Sequence, residues 1–277
     1  MSPEQNQAGD KPVNESTLLE IVRLAKKAGE AIMRVYQQDD FGTTYKDDRS
    51  PLTEADLAAH HIIVDALEKE ASARPVLTEE STEIPYTLRR KWESYWLIDP
   101  LDGTKEFIKR SDEFTVNIAL IQQGKPILGV VYAPALDITY FAAAGLGAFK
   151  MQGQETARQI AVTDHRTHRL KIAVSRLHGG AGLTSFLEKI PAHDLVRMGS
   201  SLKICLVAEG AADLYPRLGR TMEWDTAAAH AVVNEAGGSV TNVHGVALIY
   251  NKADLANPEF FVRGNPLLPL PEDWDKK

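Results

Sequence analysis

The chain has 277 residues, enough for one large domain or two modest ones, with 44% hydrophobic and 25% charged residues, as in ordinary water-soluble globular proteins. A formal charge of −7 argues against binding to nucleic-acid polymers, which need a basic face, and no apolar run reaches the roughly 18 residues of a membrane span. Cys205 is the only cysteine, which excludes an intrachain disulfide and fits a reducing, cytoplasmic setting.

Residues 1–12 are polar, lack the apolar core of a secretory signal and read as a disordered tail. A first helix is predicted from Asn14 to about Gln38, because Leu18, Ile21, Val22, Ala25, Ala28, Ile32 and Val35 recur at helical spacing. After a charged loop, a second helix runs from Thr53 to about Glu70, opened by a capping box of Thr53 and Asp56. Strands follow at Pro75–Thr78, Tyr95–Asp99, Thr115–Gln122, Ile127–Tyr132 and Ile138–Ala143, with Gly124-Lys125-Pro126 as a hairpin turn. The second half alternates: strands at Lys171–Ser175, Leu195–Met198, Ala212–Tyr215, Ser239–Val243 and Phe260–Arg263, and helices at Leu183–Lys189, Ser201–Glu209 and Asp225–Glu235. The expectation is two domains, α+β over residues 13–168 and α/β over residues 169–270, divided at a polar connector near residues 164–170.

The most informative stretch is Asp99-Pro100-Leu101-Asp102-Gly103-Thr104. Two carboxylates three residues apart stand at a strand end beside Pro and Gly, so both side chains and the carbonyl of Leu101 can converge. All are hard oxygen donors, which suit Mg²⁺, Mn²⁺ or Ca²⁺. Glu79 and Glu80 end another strand, Asp225 opens a helix, and Asp56 lies in the first turn of the second helix. Each has an ordinary alternative: Asp56 as a capping acid, Asp225 as an N-cap, Glu79 and Glu80 as a solvated pair, Thr104 as a turn hydroxyl. Gathered together, they would instead hold two cations bridged by one Asp around a transferring phosphoryl group.

These motifs resemble the inositol monophosphatase family of Mg²⁺-dependent, lithium-sensitive phosphatases. Trp96 to Phe107 resembles its first signature and Trp224 to His230 its second. Val76 to Ser81 looks like its Glu-Glu element, and Ser50 to Asp56 its upstream Thr-x-Ala-Asp element. The resemblance implies a layered αβαβα sandwich of the sugar-phosphatase type. It implies one Mg²⁺ at Glu79, Asp99 and the Leu101 carbonyl, a second at Asp99, Asp102 and Asp225, and a weaker third near Glu79. Mn²⁺ would substitute, and Li⁺ and Ca²⁺ would inhibit. Asp56 and Thr104, with Glu79, would activate the attacking water, and backbone N–H groups at Gly103 and Thr104 would hold phosphate oxygens.

Within the family, Asp102 to Phe107 and Gly199 to Gly210 resemble the bacterial bisphosphate nucleotidases, which implies adenosine 3′,5′-bisphosphate as substrate. Lys203, beside Gly199 and Ser200, would then meet the distal 5′-phosphate, with Arg217 a weaker candidate. Ser175 and His178 belong to a segment similar to the nucleotide-binding strand, with His178 against the adenine; Leu177 departs from that pattern by removing a hydroxyl. Lys203 also reads as a solvated helix-start lysine. Two alternatives stay open: hydrolysis of inositol or sugar phosphates, and a non-catalytic metal-binding regulator, the latter disfavoured by the intact acidic set. Any membrane association would be peripheral, on the cytoplasmic side, and the acidic charge gives it no support. The pattern fixes no oligomeric state.

Overall fold

The computed structural model describes residues 13–45, 51–69, 74–81, 84–163, 169–176, 181–190 and 192–264. The expected N-terminal tail, residues 164–168 of the expected connector, and Leu177 and His178 lie outside the described residues.

Helix α1 (Glu15–Tyr36) starts where the Asn14 side chain accepts the Thr17 N–H at 2.9 Å, and it buries the residues that its periodicity singled out. Two-residue strands β1 (Thr44–Tyr45) and β2 (Pro51–Leu52) lead into α2 (Glu54–Leu67). The capping box of α2 is formed: the Thr53 N–H donates to Asp56 Oδ2 at 2.7 Å, and the Ala55 N–H donates to Thr53 Oγ1. The chain continues through β3 (Val76–Thr78), α3 (Tyr86–Arg89), β4 (Ser94–Asp102), α4 (Thr104–Ile108), β5 (Thr115–Gln122), β6 (Lys125–Ala133), β7 (Ile138–Ala143), β8 (Gly147–Gln152) and β9 (Arg158–Ile160). It then runs through β10 (Leu170–Ser175), α5 (Ala181–Glu188), β11 (His193–Met198), α6 (Leu202–Ala208), β12 (Leu214–Arg217), α7 (Glu223–Glu235), β13 (Ser239–Asn242) and β14 (Phe260–Arg263).

Strands β3 to β9 form a seven-stranded sheet in sequence order, antiparallel except for the parallel pair β3 and β4. The β5–β6 hairpin turns on Gln123 and Gly124, both at positive φ, rather than on Gly124-Lys125-Pro126, because a two-residue turn of that hand matches strand twist. Strands β8 and β9 and helices α3 and α4 were not expected. The two strands lie at the sheet edge, where partly buried Lys150 and exposed Arg158 hide the apolar pattern. The second sheet has the order β11-β10-β12-β14-β13, with β10 parallel to both neighbours and β14 antiparallel to both of its own.

Strict alternation on the buried strands splits each sheet between two cores. Trp96 and Ile98 of β4 pack with α1 and α2, whereas Tyr95 and Leu97 face α6 and α7. The second sheet lies on the far side of α6 and α7, and its outer face, with Ile172, Val174 and Phe261, is covered by Phe186 of α5. The result is five layers, αβαβα, as expected.

Helix α7 approaches the first sheet closely because Ala227, Ala228 and Ala229 meet β6 at Gly129, where an added Cβ would lie 2.1 Å from the Ala228 carbonyl oxygen. Nothing flexible is there to yield, so one methyl group must push the helix away from the sheet. Gly129→Ala should destabilise the fold by about 3 kcal/mol, the upper end for overpacking. An unchanged urea midpoint at unchanged slope would refute this account of the contact.

Candidate functional site

Strand β4 does not stop at Asp99 as expected. It continues to Asp102 through a bulge, since Asp99 pairs with Asn117 and Asp102 with Thr115, leaving one extra residue on β4. The bulge breaks the alternation and lets Asp99 and Asp102 face the same space. Asp99 Oδ1 accepts the Leu101 N–H at 3.0 Å, and the Leu101 carbonyl accepts the Thr104 hydroxyl at 3.3 Å. Gly103, at φ +93°, makes the turn into α4 that a side chain would strain.

From across the middle layer, α7 delivers Asp225. It is not the N-cap: it is the third helical residue, and its Oδ2 accepts the Met222 N–H at 2.9 Å. An acid at that position satisfies the N-cap amide just as a capping-box acid does. The helix start is itself anchored by fully buried Glu223, which accepts the N–H groups of Asn251 and Lys252 and the Lys252 ammonium at 2.6 Å. One oxygen each from Asp99, Asp102 and Asp225 lie within 4.8 Å of one another.

Burial, then repulsion from Glu79, Asp102 and Asp225, holds the Asp99 carboxyl well above the usual range. Burial also lifts Asp102 to about 6, although Lys203 and the Ser201 N–H favour its anion, and lifts Asp225 to about 8 with help from Asp102. Glu79 adds to the negative field on all three, although its oxygens fall outside the tight triad. Its N–H donates to the Ile98 carbonyl at 3.1 Å, which fixes the end of β3 beside β4, while Glu80 turns with its N–H on Thr78 Oγ1. Clustered, buried carboxylates that destabilise one another are the donor set that a hard multivalent cation fits.

Asp56 combines its two readings. Oδ2 accepts the Thr53 N–H and hydroxyl, while Oδ1 accepts the Thr104 hydroxyl at 3.3 Å. The cap therefore fixes the acid beside the turn of the first signature.

The turn after β11 closes the other side. Gly199 has no room for a side chain, since a Cβ would meet both Glu113 O and Glu113 Cβ at 2.8 Å, and Ser200 sits at φ +41°. The Ser201 N–H donates to Asp102 Oδ2 at 2.6 Å, and its hydroxyl donates to Asn117 Oδ1 at 2.8 Å. Lys203 is not solvated: it is 6% exposed, its Nζ donates to the Ser200 carbonyl, and burial pulls it down to about 8 against the opposing pull of Asp102. Lys203, Ser175, Ser200, Arg217, Asp102 and Asp225 line one cavity.

Sequence reasoning passed over Glu113. Its carboxylate takes the Arg176 guanidinium side-on, at 3.0 Å and 2.7 Å, and the Gly199 N–H at 2.7 Å. No local pattern reveals a pairing between such distant segments. Thr115 and Asn117, which brace Ser200 and Ser201, did carry a signal: polar residues at alternate positions of an otherwise apolar, buried strand.

Among the described residues, no helix is long and apolar enough to cross a membrane.

A family profile described as the inositol monophosphatase family matches residues 14–265. The 3′(2′),5′-bisphosphate nucleotidase CysQ of Salmonella typhimurium is 47% identical over 247 residues, covering 88% of this chain and 98% of that protein. The protein of the same name from Escherichia coli K12 is 48% identical over 245 residues, with the same coverage. Among solved structures, CysQ from Bacteroides thetaiotaomicron superposes with a TM-score of 0.80 at 42% identity, covering 90% of this chain and 97% of that one. The extragenic suppressor protein suhB from Bartonella henselae gives 0.76 at 29% identity, covering 90% and 94%. The chain belongs to the inositol monophosphatase family.

Proposed function

We propose that the chain is a metal-dependent 3′(2′),5′-bisphosphate nucleotidase. It removes the 3′-phosphate of adenosine 3′,5′-bisphosphate to give AMP and phosphate, and acts likewise on 3′-phosphoadenosine 5′-phosphosulfate. The carrying observation is a single cavity lined by two of the three converging carboxylates and by the buried ammonium of Lys203. Named nucleotidases 47% and 48% identical over nearly their whole length support the same reading. An acidic cluster alone fits any phosphatase of the family, whereas a buried cation beside it supplies a partner for a second anionic group.

The donor set fits Mg²⁺, with Mn²⁺ as a substitute. One ion would be held by Glu79, Asp99 and the Leu101 carbonyl, a second by Asp99, Asp102 and Asp225, and a weaker third near Glu79. When bound, the metal supplies positive charge to the phosphoryl oxygens and makes water acidic enough to attack near neutral pH.

The side chains position the rest. The Thr104 hydroxyl accepts a hydrogen bond from the attacking water with its own proton turned to Asp56 rather than to the Leu101 carbonyl, and the proton that the water loses passes through Thr104 to the Asp56 carboxylate. Glu79 assists at the same water. Attack is in line: the new bond from water oxygen to phosphorus forms as the bond to the ribose 3′ oxygen breaks, and that oxygen leaves with the bonding pair and takes up a proton from solvent water. Gly103 and Thr104 amides hold phosphate oxygens. Lys203, with Gly199, Ser200 and Ser175, takes the 5′-phosphate, and His178 contacts the adenine. The one cysteine, buried Cys205, supports a cytoplasmic location.

The reading is tested by competition between adenosine 3′,5′-bisphosphate and inositol 1-phosphate at equal concentration with Mg²⁺. Preferential hydrolysis of the nucleotide is expected, and a preference for the inositol ester would overturn the assignment. Asp99→Asn should lower kcat at least about a hundredfold while the thermal transition is retained; near-normal turnover would sink the metal scheme. Lys203→Ala should raise KM for the bisphosphate far more than for inositol 1-phosphate, and equal effects would remove Lys203 from its role. Chelation should abolish activity, added Mg²⁺ should restore it, and Li⁺ and Ca²⁺ should inhibit; turnover indifferent to chelator would contradict the scheme.

A further inference from the structure

Glu106 is a buried acid that the reaction described above does not use. It lies on α4, one turn beyond Asp102, and is only 7% exposed. Its neighbours in the same position of the fold are all engaged: Glu113 holds Arg176 and Gly199, Asp102 holds Ser201, and Asp56 holds Thr53 and Thr104. The Glu106 backbone carbonyl accepts the Ser111 N–H at 3.0 Å, but its carboxylate accepts no hydrogen bond and forms no ion pair among the described residues. Glu106 lines the cavity that is also lined by Asp102, Lys203 and Ser200.

The side chain is more than nine-tenths buried and the protein gives its carboxylate no donor, so a ligand that displaces the water reaching it from the cavity must supply one or leave it uncompensated. Phosphate groups cannot be that donor, because at neutral pH they present acceptors and carry like charge. The donor must come from the organic part of the ligand. Glu106 shares one cavity wall with Asp102 and Lys203, and its Cγ packs against Gly199 in the turn that leads to Lys203. Those two groups are assigned to the scissile and the distal phosphate, and what joins the two phosphates in a 3′,5′-bisphosphorylated nucleoside is its ribose. Only one hydroxyl of that ribose is free, the one on carbon 2′.

We propose that Glu106 is a specificity-determining residue that accepts a hydrogen bond from the ribose 2′-hydroxyl and so selects ribonucleotides over 2′-deoxyribonucleotides. This rests on the nucleotidase reading. It does not follow from that reading, which requires only two phosphate sites.

The test compares kcat/KM for adenosine 3′,5′-bisphosphate and 2′-deoxyadenosine 3′,5′-bisphosphate in the unaltered chain, in Glu106→Gln and in Glu106→Met. The ratio of the two constants within one preparation is independent of how much of a variant is folded. The unaltered chain should prefer the ribonucleotide by roughly 10- to 100-fold, the range for a hydrogen bond to a charged acceptor. The ratio should shrink in Glu106→Gln, which keeps a neutral acceptor, and approach one in Glu106→Met. The same ratio in all three proteins would overturn the role of Glu106 and leave the nucleotidase assignment standing. Failure of the unaltered chain to hydrolyse the ribonucleotide would instead sink the assignment, and this inference with it.

Discussion

Three carboxylates, one buried and two partly buried, held within 4.8 Å of one another repel, and the rest of the architecture is what keeps them there. None of the three could hold that position alone. Asp99 is fixed by the amide of Leu101, Asp102 by the amide of Ser201 and Asp225 by the amide of Met222. Each anion thus has one backbone donor from a rigid element, which sets its direction without neutralising it. The remaining unfavourable charge is what a multivalent cation relieves, so the stability sacrificed at this junction is the source of the affinity for metal.

The layered fold explains why the acids come from both halves of the chain. Asp99 and Asp102 ride on a central strand whose two faces are covered by different helix layers, and Asp225 rides on the helix that fills the gap between the two sheets. The alanines of α7 and the bare backbone of Gly129 set how far apart those elements stand. Helix-to-sheet spacing and ligand geometry are therefore one problem, solved by residues that carry no functional group.

Much of this was legible before any coordinates. Local rules predicted the two N-terminal helices and the Thr53–Asp56 capping box, because these depend on side chains a few residues apart. The acidic segments were legible as strand or helix ends. What escaped was non-local or ambiguous. Asp225 looked like an N-cap, since Asp is favoured there, yet an acid three residues on satisfies the same amide. Lys203 was the first candidate for the distal phosphate yet kept a solvated alternative, because the sequence of α6 does not say that both its faces are covered. Glu106 stood unremarked inside the first signature and Glu113 was passed over, because only the approach of the turn after β11 to these segments buries them.

Glu113 precedes β5 of the first sheet, whereas Arg176 and Gly199 follow β10 and β11 of the second. One carboxylate therefore staples the two sheets beside Gly199 and Ser200, at the turn that borders the cavity. Opening the cleft by swinging one sheet away from the other would strip a mostly buried anion of both its charged and its backbone partner, leaving it uncompensated. Any such separation of the sheets is therefore opposed by this one pair and the Gly199 amide, so the spacing across the cleft is tied to a carboxylate that touches no phosphate.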